Sequence, residues 1–417
     1  MTIGIVGKPY RHFLQFLHEK YNDVNVVAFQ DTNEHFSYPD WIQDVVNVDC
    51  SSHTALIENL HALSKPGGQL ENLRLDGLEA TYEASVLAKV WIGAFFGCPT
   101  NSEESALAAT DKTLMRRRFT EYDPTITPAF ASVRSWSDAQ NFAKTHSFPL
   151  ILKPANLMKS LLVTKSNTLD ELQRNFTEAE TTMAHLYQQH GVYHREPVMV
   201  IEEFLAGPPF SIDAVADSQG AVTCLPPVDL VMARELGIND NYNYSRVLPS
   251  TLDAQTAAEL QRVAAQGIRA LGLKDSAAHV ELVLTAGGPK LIEIGARFGG
   301  YRPRMYELSF GYNMHQALLE MITGQPVRLE PQKKEFTAVF ELFPDKKGAF
   351  SHIENFDQLL QLPSYHSHNL AVEQGDEVGL SSQGFKFCCS VFLHHQDQAQ
   401  FNEDRSFLED RVRVTLQ

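Results

Sequence analysis

Cysteine is scarce. The 417-residue chain has five, Cys50, Cys98, Cys224, Cys388 and Cys389, and no two are spaced as CxxC. An odd count without that spacing argues against a disulfide framework and for a reduced, cytoplasmic setting. The adjacent pair Cys388-Cys389 lies in FKFCCSVFL, an apolar run that reads as a buried strand, so core packing is expected of it. Long hydrophobic runs are missing as well. No stretch of about 18 uninterrupted apolar residues occurs, which predicts no transmembrane helix. The opening MTIGIVGKPYRHF is a short strand and a polar turn, without the basic-then-apolar order of a signal peptide. Positive charge is in deficit: 35 Lys and Arg face 51 Asp and Glu, for a net charge of −16. That balance argues against a nucleic-acid groove or an anionic membrane surface, and any phosphate site must be locally basic. The chain also lacks a GxGxxG, an internal repeat, a low-complexity tract, and a Ser-His-Asp set in a recognisable context.

The length is too great for one ordinary core and predicts two or three domains. The first part alternates strand and helix: Ile3–Gly7 extended, Tyr10–Lys20 helical, Val24–Phe29 extended, Leu73–Leu78 a strand end, and Tyr82–Phe96 a helix stopped by Gly97. This is α/β patterning with a parallel sheet, and the turn Gly7-Lys8-Pro9 sits at a strand C-terminus, where such sheets bind ligands. A second region begins near Ser102 with a helix over Ser102–Thr120, capped by Ser102. Its run Asp111-Lys112-Thr113-Leu114-Met115-Arg116-Arg117-Arg118 reads as a solvated basic face. Strands follow at Phe148–Lys153, Val198–Phe204 and Phe210–Ala216, then an amphipathic helix over Thr256–Leu271. A helix from about Asn313 to Thr323 is stopped by Gly324 and Pro326. From Pro331 the strand-like runs Phe336–Phe343 and Phe385–Leu393, with turn clusters between them, read as a small α+β tail.

The most informative stretch is His279–Arg304, HVELVLTAGGPKLIEIGARFGGYRPR. Two strand-like runs, His279–Leu284 and Lys290–Ala296, flank a Gly287-Gly288 turn, the pattern of a β-hairpin. Folded symmetrically about Gly287, it sets Glu281 opposite Glu293 on one face. Opposed side chains lie roughly 5 Å apart at Cβ, where like charges repel. Their neighbours are apolar, so the pair needs a partner. A divalent cation serves, with Arg297 continuing the alternation toward the same face. A buried salt bridge to Arg297 serves equally on these residues alone.

The order of motifs then becomes decisive. An Asp-Lys pair (Asp111-Lys112) opens a helix, and a strand ends in Lys153-Pro154. After them come Glu202-Glu203-Phe204-Leu205-x-Gly207, then His279-x-Glu281, then Ile292-Glu293-Ile294-x-x-Arg297. Over residues 75 to 325 this resembles the ATP-grasp superfamily of carboxylate–amine ligases, nearest to the L-amino acid ligases (dipeptide synthetases) and carnosine-synthase-like enzymes. The resemblance implies an α/β and α+β architecture. An N-terminal α/β domain (1–103) precedes an ATP-grasp domain of two lobes clamping ATP (104–330), and a small C-terminal α+β domain (331–417) follows. It implies ATP and Mg2+, with Mn2+ as an alternative, and small-molecule carboxylate and amine substrates as partners. A homodimer is the default assembly.

The resemblance also implies roles. Lys112 and Lys153 match the lysines that contact ATP phosphates, and Ser160 is retained in the phosphate loop. Glu202 matches the acceptor for the adenine amino group, with the backbone of Glu203 and Leu205 on the ring edge. Asp213 is expected toward the ribose or magnesium side. Glu281 and Glu293 match the metal ligands, and Arg297 the arginine that stabilises the acyl phosphate or tetrahedral intermediate. Arg302 and Arg304 are candidates to grip a substrate carboxylate as a fork.

Three departures stand out. The loop after Lys153, ANLMKSLLV, has no glycine, although Lys159 adds charge. Pro209 replaces an acidic residue after the Glu-Glu-Phe-Leu motif. Gly295 stands where a metal-binding asparagine is usual, a substitution that leans toward the amino acid ligases. The function implied is an ATP-dependent ligase forming an amide through an acyl phosphate. The alternatives are a carboxylating ligase of the biotin-carboxylase kind and a nucleotide-binding module without catalysis.

Overall fold

The computed structural model describes all residues except 9, 22, 43, 158–160, 190–195, 239 and 241. The first part is a four-stranded parallel sheet in the order Asp44–Val48, Asn25–Asp31, Thr2–Val6, Gly77–Glu79. Its α/β alternation follows the sequence pattern, with helices Arg11–Lys20, His53–Leu63 and Val86–Phe96 beside it. Thr2–Val6 and Gly77–Glu79 are neighbours on which the chain order reverses. The turns leaving them carry Tyr10 and Tyr82-Glu83 to the same end of the sheet, the place where open α/β sheets form a crevice.

A second, antiparallel sheet runs in the order Phe130–Val133, Met199–Glu203, Leu150–Pro154, Thr164–Ser166. Helices Trp136–Thr145 and Leu169–Gln189 pack on it. A third sheet has nine strands. Its path is Gly288–Gly295, Ser276–Thr285, Pro209–Ala216, Val228–Met232, Asn243–Leu248, Phe336–Leu342, Cys389–His395, Tyr365–Leu370, with Val222–Cys224 pairing beside Pro209–Ala216. The amphipathic helix Ala254–Leu271 is capped by Asp253, whose side chain accepts from the Gln255 and Thr256 amides. Its Leu260, Val263 and Ile268 share one core with Val280, Leu282, Leu291 and Ile294 of the hairpin. Each such buried aliphatic side chain contributes roughly 1.5–3 kcal/mol, so the hairpin is held on its rear face by the helix.

Two local expectations change. The single helix foreseen over Ser102–Thr120 is two, Glu103–Thr110 and Lys112–Tyr122. Asp111 breaks it: its backbone is extended and its carboxylate accepts from the Thr113 and Leu114 amides, an N-cap geometry that starts a new helix. After Pro331, three strands extend the large sheet through pairing of Phe336–Leu342 with Asn243–Leu248. Gly348–Glu354, Glu377–Val378 and Arg413–Leu416 form a separate three-stranded sheet. Cys388 and Cys389 are fully buried in the core between them. Among the described residues no helix is long and apolar enough to cross a membrane.

The segment from Glu203 to Pro209 joins the second sheet to the third. Gly207 there has φ +148°, and a Cβ on it would lie 2.1 Å from the carbonyl oxygen of Leu284. Gly207→Ala should therefore destabilise the fold by about 1–3 kcal/mol, the usual range for a residue forced into sparsely populated backbone space. Urea unfolding checks this, with a lowered midpoint expected.

Candidate functional site

The hairpin does place Glu281 opposite Glu293, by a less direct route than symmetry about Gly287. The turn is Ala286-Gly287, closed by the pair Thr285 and Gly288, and Leu282 faces Leu291. In that register Glu281 would face Ile292. A one-residue bulge at Ile292 shifts the pairing and brings the two carboxylates together. The carbonyl freed at Ile292 accepts from the Arg116 guanidinium.

Cations gather around the pair. Lys112 Nζ is 3.2 Å from Glu293 Oε1 and donates to the Leu157 carbonyl at 2.8 Å. His279 Nε2 is 3.7 Å from Glu281 Oε1. Its Nδ1 lies 2.6 Å from Asp213 Oδ1. Burial opposes charge on His279, but the Asp213 carboxylate outweighs it and raises the imidazole above its ordinary pKa. Burial likewise pushes the Glu281 carboxyl up, yet the bond and charge of His279, with Arg302 and Arg297, hold it at about 2. Glu281 is therefore ionised at any working pH.

Deeper in the cleft, Glu202 joins two more cations. Lys153 Nζ is 2.8 Å from its Oε2, and Arg116 Nε is 2.8 Å from its Oε1. Burial raises the Glu202 carboxyl, but Arg116 and Lys153 together hold it below the usual carboxylate range. Burial lowers the Lys153 ammonium against the pull of Glu202. Arg116 has no exposed surface, which corrects the expectation of a solvated basic face. One turn separates it from Lys112, so both project from one side of the helix, whereas Arg117 is exposed.

These groups line two cavities. The first is enclosed by Lys112, Arg116, Lys153, Glu202, Leu205 and the hairpin glutamates. The second is bounded by Tyr10, Glu83, His279, Arg297 and Gly300. Glu281, Glu293 and Asn243 line both, so the cavities meet at the carboxylate pair.

The foreseen site residues divide accordingly. Lys112, Lys153, Glu202, Glu203, Leu205, Glu281 and Glu293 converge on the first cavity, although Glu203 also pairs with Lys290 at 3.2 Å and its amide donates to the Ala129 carbonyl. Arg297 lies in the second cavity, 3.3 Å from Glu83 Oε2. Asp213 is fully buried behind the wall rather than on it, holding His279 and the Gly299 amide at 2.8 Å. Arg302 and Arg304 do not form a fork. They open the helix Arg302–Phe310, and two positions on a helix are about 200° apart. Arg302 is buried and donates twice to Ser211 Oγ. Arg304 is exposed and pairs with Glu307 at 2.8 Å. Ser160 and Lys159 lie outside the described residues.

Glu83 and Tyr10 were not foreseen. Glu83 explains the glycine at 295: a Cβ there would sit 3.1 Å from Glu83 Oε2, so a larger side chain would press on the carboxylate that pairs with Arg297. Burial raises the Glu83 carboxyl, Arg297 pulls it down, and nearby Glu293 raises it again. Glu83 opens a short 3-10 turn, Glu83–Ser85, ahead of the helix Val86–Phe96, where the sequence pattern reads as one helix from Tyr82.

Among the described residues no three His, Cys, Asp or Glu side chains group as a metal site. The donor set on offer is the opposed Glu281 and Glu293, with Lys112 and His279 lying against them as cationic stand-ins. Two hard oxygen donors on a cleft wall suit magnesium, which ordinarily completes its shell with water and phosphate.

Comparison with known proteins agrees with this architecture. A family model described as an ATP-grasp domain matches residues 146–303. An L-arginine-specific L-amino acid ligase of Bacillus subtilis is 22% identical, covering 82% of this chain and 79% of that protein. An uncharacterised protein of Sinorhizobium fredii is 23% identical over 80% of this chain, which spans 66% of that relative, just under two thirds of its length. The crystal structure of an L-amino acid ligase from Bacillus licheniformis superimposes with a TM-score of 0.78 at 17% identity, covering 100% of this chain and 98% of that one.

Removing Arg116 leaves a buried Glu202 with half its compensation. Arg116→Leu should cost about 3–5 kcal/mol, the range for breaking a buried ion pair. The exposed Arg117→Leu should stay within about 0.5 kcal/mol. Chemical denaturation of the two variants side by side checks the difference.

Proposed function

We propose that this chain, which carries an ATP-grasp domain on the ATP-grasp fold, is an ATP-dependent carboxylate–amine ligase. It joins two small molecules, at least one an amino acid, through an acyl phosphate and releases ADP and phosphate. The observation that carries this is the meeting of two cavities at Glu281 and Glu293. Such a layout suits a nucleotide on one side, an organic substrate on the other, and a shared polar wall where they react.

In this proposal the first cavity takes ATP. Lys112 and Lys153 neutralise phosphate charge, and Leu157, Leu161, Val163 and Phe204 give the cavity apolar walls that exclude water. Glu281 and Glu293 would hold magnesium, which would supply further neutralisation of phosphate charge. A substrate carboxylate oxygen attacks the γ-phosphorus and ADP leaves. The amine nitrogen then attacks the acyl carbon, phosphate departs, and the amine proton goes to solvent or phosphate. Arg297, on the wall of the second cavity, stabilises the oxyanions of both steps in this proposal. Most of the protein's contribution is positioning and charge neutralisation, as is usual for phosphoryl transfer. Residues 1–103 close the substrate side, 104–330 clamp the nucleotide, and the strands after 331 support the floor through Asn243–Leu248.

Purified protein with ATP, Mg2+ and a panel of amino acids should release ADP and phosphate in step with a ligated mass. Removing the metal with EDTA should abolish turnover, and excess Mg2+ should restore it. Glu293→Gln should lower the rate by at least about a hundredfold, the scale on which transition-state electrostatics act. Formation of AMP and pyrophosphate would overturn the proposal, and bicarbonate-dependent ADP release would replace it with a carboxylating ligase.

A further inference from the structure

We infer that the second cavity receives the uncharged side chain of an aromatic or branched apolar amino acid, a specificity that rests on the ligase proposal above. The cavity has a volume of about 480 Å3, within the range of small-molecule pockets. Beyond the reacting end its wall carries Tyr10, Tyr82, Phe298, Pro303, His315 and Leu318, with Glu79 and Thr81 beside them. Tyr10 and Tyr82 come from the turns at the crevice of the parallel sheet. His315 and Leu318 come from the helix Met314–Ile322, and Phe298 follows the carboxylate hairpin.

Among the described residues, each ionised group lining this wall lies beside an opposite charge. Glu79 is 2.7 Å from Lys89, and Glu83 is 3.3 Å from Arg297. His279 is held by Asp213, and Glu293 by Lys112. Lys8, exposed and outside this lining, lies over the ring of Tyr82, 4.9 Å from its centroid. His315 brings no charge: burial, with His12 beside it, pulls its pKa down to about 4. Its ring lies 5.7 Å from Tyr10 and 5.8 Å from Phe16.

A charged side chain entering here would lose its water without gaining a counter-ion, or would have to break an existing pair. Either cost is severe for a buried charge. An aromatic or branched side chain instead gains apolar contact and edge or face packing with the rings. Arg297 is left to meet the carboxylate end, next to the hairpin glutamates.

Calorimetric titration of the full chain, in the presence of Mg2+ and a non-hydrolysable ATP analogue, tests this with L-phenylalanine, L-leucine, L-aspartate and L-lysine. Phenylalanine or leucine should bind at least tenfold more tightly than either charged amino acid. Tyr82→Ala, on an exposed turn, should weaken phenylalanine binding severalfold. His315→Glu should narrow or reverse the preference in favour of lysine. Equal or tighter binding of aspartate or lysine by the natural chain, or no binding of any of the four, overturns the inference. Binding of phenylalanine with no ADP release on any acid would sink the ligase proposal and leave this assignment standing. ADP release driven by charged acids alone would do the reverse.

Discussion

Two like charges set face to face on a buried-backed hairpin organise this protein. Glu281 and Glu293 repel each other, and the hairpin cannot relieve the repulsion by slipping, because a one-residue slip would send Val280, Leu282 and Ile294 out of the core they share with helix Ala254–Leu271. The bulge at Ile292 imposes the opposition rather than avoiding it. Compensation comes from three directions, one of them outside the hairpin. Lys112 arrives from a helix, His279 from the same strand with Asp213 behind it, and Arg297 from the hairpin's own exit. In the proposed function a metal ion and phosphates take over part of that compensation.

The same constraint explains why the parallel sheet belongs to the site. Its crevice delivers Glu83 to Arg297, and the room for that contact exists because residue 295 has no side chain. A glycine that from sequence looks like a lost metal ligand is, in the fold, the space through which the first part of the chain reaches Arg297. The second cavity is consequently walled by residues more than 200 positions apart, Tyr10 and Tyr82 on one side, Phe298 and His315 on the other.

The hairpin, the strand bearing Lys153 and the strand ending in Glu202-Glu203 were legible because each combines a strong alternation with a chemically distinctive end. The helix break at Asp111 was half legible: the capping residue was visible, but propensity alone favoured one continuous helix over it. Arg116 was misjudged because a run of three arginines usually faces water, and only the position of Glu202, 86 residues away, decides which one is buried. The resemblance points Asp213 toward the nucleotide, and the position of Arg302 and Arg304 after Gly299-Gly300 suggests a fork. The fold turns Asp213 inward against His279 and starts a helix at Arg302, so the two arginines diverge. Such choices depend on tertiary partners that no local window contains.

The glycine-free loop after Lys153 is the remaining departure, and its described part has a physical logic. Glycines in such a loop free the backbone to close over phosphates. Here the loop is tied to the helix that begins at Lys112. The Lys112 amide donates to the Ala155 carbonyl, its Nζ to the Leu157 carbonyl, and the Asn156 side chain to Asp111 and the Thr110 carbonyl. In the proposed function the charge that meets the nucleotide need not come from loop backbone, because Lys112 brings it from a capped helix end. Residues 155–157 then keep that ammonium between the loop and Glu293. The cation is held in place by its hydrogen bond to the Leu157 carbonyl and its pairing with Glu293, so ordering it on nucleotide binding costs little entropy. A loop lacking glycine is compatible with a phosphate site when the loop's task is to hold a lysine rather than to wrap the ligand.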